Sequence, residues 1–91
     1  MNRAAWLGRQ QEFSEQLVKS IGVLSDEITE LIDMFSYAGE WDEVVSLALL
    51  SANELGIRVA QNVLDEASQI WPDREMFELL RTLKSAQTDI T

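Results

Sequence analysis

The chain contains no cysteine and no histidine. The first absence excludes a disulfide framework, a thiol nucleophile and a thiolate metal site. The second removes the commonest metal ligand and the commonest general base together. Basic residues are also scarce: seven Lys and Arg stand against sixteen Asp and Glu, for a net charge of −9. Nucleic acids and anionic membrane surfaces are recognised by basic patches, so this balance argues against both. No run approaches the ~20 apolar residues that span a bilayer. The stretch from Met1 to Gln10 has too short an apolar segment for a signal-peptide core, and Arg9 interrupts it. With neither kind of segment, the chain is expected to stay in the compartment where it is made, and the lack of cysteine fits the intracellular side.

What remains is acidic and apolar together. Hydrophobic residues make up 46% of the 91 residues, too many for a disordered acidic tail and enough for one small domain over residues 1–91. A domain this size buries only about 60% of its unfolded surface, so a partner's contribution would matter.

Alternation of period two is absent and the apolar spacing is helical throughout, which predicts an all-α fold of about five antiparallel helices. The first helix is expected from about Ala4 to Ser20, with a stripe through Trp6, Phe13, Leu17, Ile21 and Leu24. Gly22 ends it, and Ser25 is placed to cap the next helix ahead of Asp26 and Glu27. That second helix, Asp26 to Tyr37, carries Ile28, Leu31, Ile32 and Phe35 on one face, widened by Met34 and Tyr37. Gly39 closes it. The third helix, about Trp41 to Leu55, is apolar nearly all round through Val44, Val45, Leu47, Ala48, Leu49, Leu50, Ala52 and Leu55. A helix of that kind must be covered on every side, by its own domain or by a partner. After Gly56 a fourth helix is expected from Ile57 to Ile70. Pro72 then restricts Trp71 and suits the first turn of a fifth helix, Pro72 to Ala86, with Met76, Phe77, Leu79, Leu80 and Leu83. Gln87 to Thr91 reads as a frayed polar tail.

Residues 41–74 resemble one tetratricopeptide repeat of about 34 residues. Counting from Trp41, Val44 and Leu47 take core positions of the first helix and Ala48 the small close-contact position. Ala60, Leu64, Ala67 and then Pro72 follow in the second. Small residues at one-turn intervals let two helices approach closely, and the proline ends the pair. Ser51 stands where an aromatic is usual and Gly56 falls one place late, so a plain helical bundle is the other reading.

From Phe13 to Ala86 the chain resembles the G-type cochaperones of type III secretion needle subunits (YscG/EscG-like). The likeness is carried by Ile21-Gly22, Asp26–Phe35, Gly39-Glu40 leading into Asp42-Glu43-Val44-Val45, Leu49-Leu50-Ser51, Ala60, and Ile70-Trp71-Pro72-Asp73. The resemblance implies a tetratricopeptide-like stack in the bacterial cytoplasm. Its apolar groove would hold the amphipathic C-terminal helix of the needle subunit and keep that subunit monomeric before export. A small helical cochaperone would complete a heterotrimer. The phase of the repeat nominates Val45, Leu49, Ala52 and Asn53 on the third helix and Met76, Leu79 and Leu83 on the fifth as groove positions. The same residues also fit an ordinary core. Trp6, Leu7 and Phe13 are the candidate cochaperone contact, with helix-junction packing as the plain alternative.

No catalytic residue, metal site or cofactor is assigned. The pairs Asp26-Glu27, Asp42-Glu43 and Asp65-Glu66 are sequence neighbours, which do not face each other on a helix, and two of them suit the helix dipole. Glu27, Glu30 and Asp33 can share a helix face, but no EF-hand-like acidic loop accompanies them and a solvated face is the simpler account. Besides the chaperone reading, the composition leaves open a small acidic inhibitor of the immunity or antitoxin type, acting through charge, and a generic repeat adaptor. An enzyme comes last.

Overall fold

A computed structural model describes residues 3–22 and 24–89, with side chains through Gln87. It has five helices and, among the described residues, no strand: α1 (Arg3–Ile21), α2 (Asp26–Tyr37), α3 (Trp41–Glu54), α4 (Gln61–Ile70) and α5 (Arg74–Asp89). The all-α class and five packed helices expected from the periodicity are what the chain adopts. No described helix is long and apolar enough to cross a membrane.

Local signals set most of the boundaries. Ser25 caps α2, its side chain accepting from the Ile28 N–H at 3.2 Å. The ends of α2 and α3 share one geometry. The Gly39 N–H donates to Ser36 O and the Glu40 N–H to Phe35 O; the Gly56 N–H donates to Asn53 O and the Ile57 N–H to Ala52 O. This double bond pattern needs a left-handed residue just past the helix, and Gly39 and Gly56 supply it with φ of 74° and 73°. At the far end Trp71 is held out of the helical region ahead of Pro72. Asp73 Oδ2 then accepts from the Met76 N–H at 3.3 Å, which makes Asp73 the cap of α5 and leaves Pro72 outside the helix rather than in its first turn.

Two further helix boundaries change. The fourth helix starts at Gln61, not Ile57, because residues 57–60 have another set of partners. The Val59 N–H donates to Gln87 Oε1 at 2.8 Å, and Gln87 Nε2 donates back to Val59 O at 3.0 Å. This clasp satisfies a non-helical backbone and buries the Val59 side chain in the core. The same clasp overturns the frayed tail at Gln87, since α5 continues to Asp89; Ile90 and Thr91 lie outside the described residues.

Helix α3 sits at the centre, packed by α1, α2 and α5, while α4 packs on α5 and α1. The core runs through Phe13, Leu17 and Ile21 of α1, Val45, Ala48, Leu49 and Ala52 of α3, Leu64, Ala67 and Ile70 of α4, and Met76, Leu80 and Leu83 of α5, with Val59 and Trp71. The close α3–α4 hairpin that the repeat spacing over 41–74 implies is not formed: these two helices make no close backbone approach. Ala60, assigned there to a helix interface, is the exposed N-cap of α4. Between α4 and α5, Lys84 Nζ donates to Asp65 Oδ1 at 2.7 Å. Lys84 first, and Gln61 second, hold the Asp65 carboxyl below its usual range. Any stability this adds is present above the ordinary aspartate pKa and is lost as pH falls through the depressed one. The pair lies in water, so the effect is small.

Helix α2 depends most on its cap, because Ile32 is its one buried residue. Ser25→Ala is expected to cost about 0.5–2 kcal/mol, seen as a lower urea midpoint and as faster hydrogen exchange in α2 than in α3. Equal acceleration in both helices would show that α2 does not open by itself.

Candidate partner-binding surface

Helices α1 and α2 both pack on α3 but do not approach each other. The gap is an open cleft of about 350 Å³. Its floor is Ile32, Trp41 and Val44; α1 lines it with Ser14, Glu15, Val18 and Lys19, and α2 with Asp33 and Ser36. Ile32 and Val44 are buried yet lie outside the main core cluster, so they tie α2 to α3 as a separate apolar seam below the cleft. Ser14 is fully buried here without strain: its hydroxyl donates to Gln10 O at 2.7 Å, one turn back in α1. The apolar floor therefore carries no unpaired hydroxyl, while Glu15, Lys19 and Asp33 stand exposed at the rim.

The seven groove positions are divided by the structure. Val45, Leu49, Ala52, Met76 and Leu83 are buried in the core cluster, and Leu79 is partly buried against it. They fill the centre of the domain and do not line an open groove. The physical reason is the packing of three helices on α3, which buries its inner apolar positions and leaves Leu50 and Leu55 exposed. Asn53 alone is exposed, beside a small hollow of about 70 Å³ lined also by Gly56, Ile57, Arg58 and Gln87.

The N-terminal trio divides in the same way. Phe13 is buried and meets Trp71 edge-on, with ring centroids 5.8 Å apart and planes at 65°. Trp6 is half-buried against the core. With the Gln10 side-chain carbonyl turned toward the indoles, it accepts from Trp6 Nε1 at 3.0 Å and from Trp71 Nε1 at 3.2 Å. Trp6 and Phe13 thus fasten α1 to the α4–α5 junction, and only Leu7 of the three is exposed. The acid pairs lie in solvent, and no three acidic side chains among the described residues are grouped to hold a metal ion.

Sequence reasoning did not single out the cleft, although two signals pointed to it. The apolar arc of α2 is wider than one neighbouring helix covers, and Ser14 interrupts the stripe of α1. No protein family, curated protein or solved structure matches this chain.

Proposed function

We propose that this chain is a helical chaperone that holds an amphipathic helix of another protein chain in the cleft between α1 and α2. The observation that carries the proposal is the separation of those two helices over a shared apolar floor. A partner helix presents apolar anchors at i, i+3, i+4 and i+7, and a groove between two helices receives such a ridge. The resemblance to needle-subunit cochaperones narrows the partner to the C-terminal helix of a type III secretion needle subunit, kept monomeric in the bacterial cytoplasm with a small helical cochaperone completing the complex.

The test is co-expression with the candidate subunit and cochaperone, followed by native mass spectrometry in low and high salt. A complex that survives salt supports apolar docking. A complex with a basic enzyme that dissociates in salt supports the acidic-inhibitor reading instead. Ser36→Phe fills the cleft from a half-buried position on its α2 wall. It is expected to weaken partner binding at least about tenfold, roughly 1.4 kcal/mol, in isothermal titration. The thermal midpoint should move by less than about 4 °C. Unchanged affinity would remove the cleft from the binding site.

A further inference from the structure

The outward side of α2, away from α3, has a regular pattern that the core does not use and that meets the cleft only at Asp33, on the cleft's rim. Leu31, Met34 and Tyr37 follow one another at three-residue steps and are 40%, 67% and 97% exposed. Residues three apart on a helix form a ridge. One turn before each lies an acid: Glu27 before Leu31, Glu30 before Met34, Asp33 before Tyr37. The surface is thus an apolar ridge and an acidic ridge side by side. No Lys or Arg occurs in α2, and none of these carboxylates has a salt-bridge partner among the described residues. A contiguous exposed apolar ridge rimmed by charge is suited to an interaction surface. Methionine and tyrosine are suited to one, the first adaptable and the second offering broad contact with a polar tip. The helix itself is under-supported: it has 12 residues and one buried side chain, and helices shorter than about 12–15 residues are marginal without packing.

We propose that this face of α2 docks a basic amphipathic helix of another protein, its apolar ridge against Leu31, Met34 and Tyr37 and its Lys or Arg side chains against Glu27, Glu30 and Asp33. Charge selects this occupant. An anionic membrane is repelled by the acidic ridge. A second copy of this chain, α2 against α2, brings two unneutralised acidic ridges together. A ridge-and-groove surface offers a helix its packing, and no free sheet edge is present among the described residues to receive a strand. This face adjoins the cleft at Asp33 and shares no other residue with it, so the proposal stands without the cleft reading.

The probe is a synthetic helical peptide of about 18 residues with leucine at i, i+3, i+4 and i+7 and lysine elsewhere. Its counterpart carries glutamate in place of lysine. Fluorescence anisotropy is expected to show binding of the lysine peptide alone, weakening as salt rises. Met34→Asp combined with Tyr37→Ser, and separately Glu27→Lys with Glu30→Lys, should each weaken binding at least about tenfold while circular dichroism stays unchanged. Asp42→Lys with Glu43→Lys, which alters charge equally on exposed positions of α3, should leave most of the affinity in place. Ser36→Phe should not affect it, so failure of the cleft reading and failure of this one are told apart. Three results would overturn the proposal: equal loss from the α3 pair, equal binding of the glutamate peptide, or a concentration-dependent dimer in sedimentation that Met34→Asp abolishes.

Discussion

Leu49→Ala lowers the stability of the isolated chain by about 2–5 kcal/mol, whereas Leu50→Ala, one residue along the same helix, changes it by less than about 0.5 kcal/mol. Leu49 is 1% exposed at the middle of α3, within the cluster that joins α1, α3, α4 and α5. Leu50 is an exposed neighbour on the outer side. Truncating a buried leucine loses its transfer free energy and leaves a cavity that the surrounding helices only partly close. A domain of this length has a total stability of order 5–10 kcal/mol, so the loss is a large fraction of the whole. The contrast also separates the two roles that the sequence allows Leu49. A groove-lining leucine loses partner affinity and leaves the free protein stable; a core leucine unfolds the free protein. Urea titrations of the two variants, compared at equal slope, decide between them. A midpoint for Leu49→Ala matching that of the parent would put Leu49 back in a groove.

Trp71→Ala is expected to be as damaging, about 3–5 kcal/mol, because Trp71 joins three helices at one point. It follows α4, precedes α5 and receives Phe13 of α1 edge-on. Its indole N–H is one of the two that converge on Gln10. Removing it uncovers Phe13 and leaves Gln10 with Trp6 alone. Since 1 kcal/mol moves the midpoint of a domain this size by about 4–8 °C, a drop of at least about 12 °C is expected by calorimetry. Trp71→Phe keeps most of the apolar area and loses the hydrogen bond, so its cost should be far less than that of the alanine variant. If the two substitutions cost the same, the hydrogen bond to Gln10 dominates and the packing against Phe13 contributes little.

The arrangement around Trp71 also explains why Trp6 looked like a docking residue in the sequence. An aromatic near the start of a chain, on a helix with few neighbours in sequence, has no local partner to be assigned to. Its partners are Gln10, one turn away, and through it Trp71, which only the tertiary structure brings close. The most exposed apolar side chains lie on α2, where Met34 and Tyr37 were read as widening the apolar face. The error there is one of phase. A helix packed on one neighbour buries a narrow arc, and among the described residues α2 packs on α3 alone of the helices.

The sequence by itself determined the class, the number of helices and most of their ends. Ser25, Gly39, Gly56 and Pro72 act within one turn of themselves, through hydrogen bonds and steric limits that need no distant residue. The all-round apolar third helix showed that it must be covered on most sides, and the structure places it at the centre of the domain. Only the tertiary structure decided that α4 crosses to α1 and α5 instead of returning along α3, that Val45, Leu49, Ala52, Met76 and Leu83 are core, and that α1 and α2 stand apart over a cleft. The start of α4 belongs with these, since the clasp between Val59 and Gln87 joins residues 28 positions apart. An apolar side chain is buried equally well by any apolar surface of suitable shape, so spacing shows that a position must be covered and the packing of the whole chain decides by what.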